Sequence, residues 1–183
     1  MTGPVAGKRA GKPQRELSKA ALEAAALRYL DRFDCTAVRL RSVLARRIPP
    51  GHDDLVRRNA KQWIDELVER YQASGLLDDL RFARNCAEHL RERGASRRAI
   101  QMKLRARGVS SDAVEAVLSA SAPNDELAAA QAFAKRRRLG PHRPSAERAD
   151  KRQKDLAAMA RAGFDRDTAL RAISHGPSDD DEL

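Results

Sequence analysis

The sequence predicts an all-α protein of tandem three-helix repeats, with about nine helices forming an elongated, curved array. Three observations support this fold class. Apolar residues recur at helical spacing in nearly every segment from 17 to 175, and no segment shows sustained alternation. Aromatic residues make up 4% of the chain, which favours helix-on-helix packing of small aliphatic side chains over a β-sandwich. Capping residues and helix-ending glycines separate the helical segments.

The first two helices are predicted from an apolar stripe and a cap. Residues 16–33 form the first helix, with Phe33 at the end of its stripe. Thr36 is expected to cap the second helix, because its hydroxyl can accept a hydrogen bond from a free first-turn amide. Val38 is expected to face the core. Pro49-Pro50-Gly51 ends this helix, since proline lacks an amide hydrogen and blocks the preceding turn.

The third and fourth helices are bounded by glycine and aspartate. Helix 53–73 is expected to bury Leu55 and to end at Gly75 in the left-handed conformation. Asp78 or Asp79 is then expected to cap the fourth helix, because a carboxylate suits the positive end of the helix dipole.

The remaining helices are predicted from the same signals. Expected caps are Ser96, Ser110 or Ser111, Ser145 and Asp165, and Pro123 and Asn124 are expected to open the seventh helix. Expected ends or breaks are Gly94, Gly108, the loop Gly140-Pro141-His142-Arg143-Pro144, and Gly163.

Two internal matches indicate a repeat. Thr36, Leu40 and Leu44 correspond to Ser96, Ile100 and Leu104 at a constant offset of 60, and the segment starting at Arg107 resembles that starting at Ala162 at an offset of 55. The predicted division is a disordered basic arm over 1–15, repeats over 16–75, 76–122 and 123–176, and a disordered acidic tail over 177–183.

The positive charge is concentrated in the predicted folded body. The first 20 residues carry a net charge of +4 and residues 178–183 carry −4, so the body retains the full +10 of the chain. Such an excess favours polyanions or acidic protein surfaces as partners, with solubility alone as the alternative explanation. No aromatic residue is interleaved with the basic runs, so nucleic acid would be bound through phosphates rather than by base stacking.

No arrangement of residues indicates catalysis, a metal or a cofactor, and we expect a protein that is not an enzyme. The histidines are isolated, and no phosphate-binding or nucleophile motif is present. The acidic pair Asp78 and Asp79 could in principle ligate a metal, but helix capping accounts for both residues. Cys35 and Cys86 are far apart and are expected to be reduced thiols of a cytoplasmic protein, without a membrane segment or a small-molecule substrate.

A basic face is predicted as the partner-binding surface. Cations cluster on the second, fifth, seventh and eighth helices, where part of the pattern also serves the helix dipoles. The candidate binding residues are Arg39, Arg46, Arg97, Arg98, Lys103, Arg107, Arg136, Arg137, Lys151 and Lys154.

Several motifs resemble the RecX family of RecA regulators. The most specific stretch is Gly75-Leu76-Leu77-Asp78-Asp79 followed by Phe82-Ala83. Arg93-Gly94-Ala95-Ser96-Arg97-Arg98, with Gly108-Val109 further on, is similar to the second repeat of that family, and the resemblance spans roughly 17–175. The chain departs from the family pattern at Ile48–Asp54, where many members have a short glycine turn, and at Arg39, where an acid is usual.

The resemblance implies a monomeric regulator that binds the RecA filament. Such a protein would inhibit the recombinase, ATPase and co-protease activities of RecA, and would thereby modulate recombinational repair and the SOS response. The alternative hypothesis is a non-specific helical DNA- or RNA-binding protein of the nucleoid or ribosome, because short helical units of this kind can enter a major groove.

Overall fold

The computed structural model describes residues 17–51, 53–122 and 124–174, and within these ranges it contains helices and no strands, which confirms the all-α prediction. The predicted basic arm and acidic tail lie outside the described residues. The α-helices of the described ranges are α1 (Lys19–Leu30), α2 (Ala37–Ala45), α3 (Asp54–Ala73), α4 (Asp79–Glu92), α5 (Arg97–Ala106), α6 (Ser111–Ser119), α7 (Asp125–Arg137), α8 (Arg148–Ala162) and α9 (Arg166–Ser174). Two 3-10 turns, Gly140–His142 and Ser145–Glu147, connect α7 to α8.

Buried side chains form three separate clusters, one for each successive group of three helices. The first cluster centres on Leu40, Leu44 and Val68, the second on Ile100, Leu104 and Val114, and the third on Met159, Phe164 and Ala172. Leu77 packs in the first cluster, although the predicted boundaries place it in the second repeat. The cores are mainly aliphatic, as the scarcity of aromatic residues requires.

Most predicted caps lie where the sequence places them. The hydroxyls of Thr36, Ser96 and Ser110 accept hydrogen bonds from first-turn amides of α2, α5 and α6. Asp78 caps α4 by accepting from the amides of Leu80 and Arg81. These hydrogen bonds lower the pKa of Asp78, the amide of Arg81 having the largest effect.

Four local predictions are wrong. Ser145 does not cap α8, because it begins a 3-10 turn and the α-helix starts only at Arg148. Phe33 lies beyond the end of α1 and is 54% exposed. Val38 and Leu55, which were expected to face the core, are 54% and 57% exposed. Leu55 lies in the first turn of α3, before the first buried residue of that helix, whereas Val38 lies on the side of α2 that faces Gly108 at the end of α5.

Candidate partner-binding surface

The first two helical groups meet where the end of α5 contacts the start of α2. The hydroxyl of Thr36 donates a 2.7 Å hydrogen bond to the carbonyl oxygen of Arg107. The carboxylate of Asp79 accepts a 2.8 Å hydrogen bond from the amide of Ala37, the first residue of α2. Asp79 therefore caps a helix of the preceding group rather than its own helix. Both hydrogen bonds run from donors at the start of α2 to acceptors in the second group, one at the start of α4 and one at the end of α5, so the contact fixes the two groups at two points. We call this contact the first joint.

The second and third groups meet in the same way, at a second joint. The hydroxyl of Ser96 donates a 2.7 Å hydrogen bond to the carbonyl oxygen of Ala162 at the end of α8. Glu126, near the start of α7, accepts from the amide of Arg97 at 2.9 and 3.1 Å. Burial raises the pKa of Glu126, although this hydrogen bond acts in the opposite direction. The two joints therefore repeat the offsets of 60 and 55 seen in the sequence.

A glycine allows the close approach at each joint. Gly108 has φ +81°, and a Cβ atom there would lie 2.6 Å from Cβ of Val38. Gly163 has φ +94°, and a Cβ atom there would lie 2.7 Å from Oγ of Ser96. Both positions need a left-handed backbone and the absence of a side chain, which together only glycine provides without strain. The exposed Val38 is thus held against the end of α5.

The two joints connect α8, α5 and α2 end to end, and we call these three helices the helix stack. Residues 37–47 and 97–107, which cover α2 and α5, contain nine arginines and lysines and no acid. Helix α8 adds five arginines and lysines against two aspartates, so positive charge predominates along the whole stack. The stack contains most of the candidate binding residues predicted from the sequence.

The structure leaves several predicted binding residues available for a partner. Arg39 and Arg46 on α2, and Arg97, Arg98 and Lys103 on α5, are exposed, as is Lys154 on α8, whereas Lys151 is half-buried. Among the described residues, none of these cations has an acidic side chain within ion-pair distance. Ion pairing within the described residues therefore does not neutralise them, although the charge of Arg97 acts on the nearby carboxylate of Glu126.

Three other predicted binding residues make contacts within the fold. Arg107 donates to Sγ of Cys86 at 2.8 Å and lies over the ring of Phe82. Arg136 donates to the carbonyl oxygen of Arg93, and the guanidinium groups of Arg136 and Arg137 lie 5.7 and 5.8 Å from the centroid of the Phe133 ring. These cations help to pack helices, so a partner would have to compete for them.

The motif that carries the family resemblance has a structural role throughout. Gly75 ends α3 with φ +72°, and the amide of Leu77 donates to the carbonyl oxygen of Tyr71. Leu77 and Ala83 are buried, Phe82 is half-buried and Leu76 is 46% exposed. With Asp78 capping α4 and Asp79 forming the first joint, both carboxylates act as hydrogen-bond acceptors for helix amides.

Some relevant residues were not predicted from the sequence. Arg47 and Arg105 add charge to the helix stack and could have been found from the basic runs. The buried Asp155 accepts from both Arg143 and the amide of Gly140, and thereby fixes the connection between α7 and α8. Nothing in the local pattern distinguishes this aspartate from the other acids of α8.

The described part of the chain contains no group of three or more histidine, cysteine, aspartate or glutamate residues placed to hold a metal ion. Within the same ranges, no helix is long and apolar enough to cross a membrane.

Comparison with known proteins identifies close relatives. A family model described as RecX, second three-helix domain, matches residues 78–118. The chain is 38% identical over 182 residues to the regulatory protein RecX of Myxococcus xanthus, covering 96% of this chain and 97% of the relative. It is 35% identical over 162 residues to the regulatory protein RecX of Halorhodospira halophila, covering 88% and 91%, respectively. It is 30% identical over 148 residues to that of Thermobifida fusca, covering 80% and 74%. No solved structure matches the chain significantly.

Proposed function

This chain belongs to the RecX family of regulatory proteins, and on that premise we propose that it binds the RecA nucleoprotein filament and inhibits its recombinase, ATPase and co-protease activities. The observation that carries the proposal is the similarity to proteins named regulatory protein RecX over nearly the whole length. In the cell, the protein would work in the cytoplasm and would modulate recombinational repair and the SOS response. It would act as a monomer and without catalysis.

The helix stack supports binding to a long, repetitive target. Its unpaired cations cross three units that are joined by the same contacts, so neighbouring units can offer similar groups at successive positions. We propose that the residues 16–75, 76–122 and 123–176 form these repeat units. A filament of RecA on DNA repeats the same protein groups and DNA phosphates at regular intervals, which suits this arrangement.

Inhibition requires that the protein prefer one state of the filament. A ligand shifts an equilibrium only by its difference in affinity for the two states. Binding along the helical groove of the RecA filament would favour an inactive state of the filament. Binding at the growing end of the filament would block the addition of RecA. The experiment that tests the proposal is the ATPase activity of RecA on single-stranded DNA, measured with increasing amounts of this protein.

A second function is favoured by the same unpaired cations, namely non-specific binding of DNA or RNA through phosphates. Such binding weakens steeply with salt, because each phosphate contact releases counterions. A salt titration with DNA alone, compared with one on the RecA filament, separates the two functions. Tight DNA binding that is lost at moderate salt favours the second function, and filament binding that persists there favours the first.

A further inference from the structure

A groove of about 700 Å³ opens at the first joint. One wall consists of the end of α1, the connection to α2 and the start of α2, and the other consists of Phe82 and the end of α5. The two walls belong to different helical groups, which the hydrogen bond from Thr36 to Arg107 holds together. Because this bond and the contact of Gly108 with Val38 fix the walls, the groove is formed before any partner arrives.

The groove combines exposed apolar side chains with a rigid support. Phe33 and Val38 are each 54% exposed, although large apolar side chains are generally buried in a folded domain. The centroid of the Phe33 ring lies 5.0 Å from that of Tyr29, a contact that favours this orientation of the ring. An apolar side chain of a partner that entered the groove would therefore contact Phe33 and Val38 on a wall that is already formed.

The charges that line the groove are mainly positive. Arg39 and Arg105 are exposed and have no ion-pair partner among the described residues, whereas Arg107 is held by Cys86 and Phe82. Asp34 is the one acidic residue among the lining residues. Charge complementarity therefore favours an acidic occupant.

The buried thiol in the groove does not indicate chemistry. Burial raises the pKa of Cys35 to about 11, and the carboxylates of Asp34 and Asp79 contribute to the rise. At neutral pH the thiol is therefore protonated and a poor nucleophile. The groove is suited to binding rather than to covalent reaction.

We infer that the groove between Phe33, Val38, Arg39 and Arg105 is a docking site for an acidic peptide segment that carries one bulky apolar side chain. The apolar side chain packs against the wall that carries Phe33 and Val38, and the flanking carboxylates pair with Arg39 and Arg105. In the context of the proposed function, on which this identification rests, the segment belongs to a RecA protomer. A segment bound in this groove contacts both the first and the second helical group.

The inference can be tested on the isolated full-length chain with a designed probe. The probe is a fluorescein-labelled peptide of nine residues, in which a central leucine is flanked by aspartates and glutamates, and the comparison peptide has serine in place of leucine. We expect the leucine peptide to bind at least about tenfold more tightly, since burial of such a side chain is worth more than the 1.4 kcal/mol that corresponds to a tenfold change. Equal binding of the two peptides would overturn the apolar part of the site.

Matched variants locate the binding. Arg39→Glu with Arg105→Glu should weaken binding of the leucine peptide at least about tenfold. Arg57→Glu with Lys61→Glu, two exposed positions of α3 with the same change of net charge, should change it less than about twofold. Phe33→Ser should weaken binding, whereas Leu55→Ser, at an equally exposed position, should not. Equal effects of the groove and control variants would overturn the inference.

The same variants distinguish a failure of this inference from a failure of the proposed function. If the wild-type chain does not bind the RecA filament but the peptide results hold, the groove is a docking site and the proposed partner is wrong. If the wild-type chain binds the filament and the groove variants bind it equally well, the docking inference is wrong and the proposed function stands. Circular dichroism of each variant confirms that the helices remain folded.

Discussion

The hydroxyl of Ser96 donates a 2.7 Å hydrogen bond to the carbonyl oxygen of Ala162, and so joins the start of α5 to the end of α8. Thr36 makes the same contact with Arg107 between α2 and α5. In both joints the hydroxyl also accepts a hydrogen bond from its own helix, so one side chain caps two helix ends at once. Because this contact is repeated, the basic helices of the three groups lie end to end and share one surface.

The double role of Ser96 predicts an unusually costly substitution. Ser110 caps α6 in the same manner but is exposed and, within the described ranges, donates no hydrogen bond to another helical group, so Ser110→Ala should lower the free energy of unfolding by about 1 kcal/mol. Ser96→Ala also leaves the partly buried carbonyl oxygen of Ala162 without its donor, and should cost about 2–3 kcal/mol. Urea denaturation followed by circular dichroism measures both values. Equal losses would contradict a role for Ser96 at the joint.

The close approach of Gly108 to Val38 at the first joint predicts that alanine costs more stability at Gly108 than at Gly75. Gly75 and Gly108 both have a positive φ, but a Cβ atom at Gly75 would have nothing within 4 Å. Gly75→Ala should therefore cost only the backbone strain, about 1 kcal/mol. Gly108→Ala adds a collision with Val38 and should cost about 1–3 kcal/mol more. Similar melting temperatures for the two variants would show that the joint can move apart at little cost.

The environment of the buried Asp155 predicts that the free energy of unfolding depends on pH. Burial alone would raise the pKa of this carboxyl, but hydrogen bonds from Arg143 and from the amide of Gly140 outweigh it and lower the pKa. Because the pKa is lower in the folded state, ionised Asp155 stabilises the fold fully above the unfolded pKa of about 3.9. This stabilisation is lost as the pH falls through the lower pKa of the folded state. Wild-type protein should therefore lose stability steeply below about pH 4.

Two aspartate variants of α8 isolate this effect. Asp155→Asn should lower the free energy of unfolding at neutral pH by about 2–3 kcal/mol, because Arg143 loses a charged partner, and should flatten the acid-dependent loss. Asp150→Asn, at an exposed position of the same helix, should retain the wild-type profile. Denaturation curves between neutral and acidic pH provide the measurement. An unchanged profile for Asp155→Asn would assign the acid sensitivity to other groups.

The exposed cations of α5 predict a loss of binding without a loss of folding. Arg97→Glu with Lys103→Glu reverses two charges of the helix stack that have no ion-pair partner among the described residues. Affinity for the RecA filament should fall by about tenfold or more, whereas the melting temperature should change little. Arg57→Glu with Lys61→Glu on α3 is the control for net charge. If both pairs weaken binding to the same extent, the stack is not the contact surface.

The local features of this fold could be predicted because they depend on neighbouring residues. The caps at Thr36, Ser96 and Ser110 and the left-handed Gly75 each follow from a few adjacent residues and their backbone requirements. The joints could not be predicted, because Asp79 bonds an amide 42 residues away, and the sequence offers its own helix as a nearer explanation. The same holds for Phe33 and Val38, which helical periodicity assigns to the core and the structure places at a groove.

Regulation of RecA by this protein is tested by the ATPase activity of RecA on single-stranded DNA, with the full-length protein added at increasing ratios. We predict inhibition at ratios at or below one molecule per RecA protomer, and weaker inhibition by Arg97→Glu with Lys103→Glu than by the α3 control. Undiminished ATP hydrolysis at stoichiometric amounts of the folded wild-type protein would contradict the proposal that this chain regulates RecA.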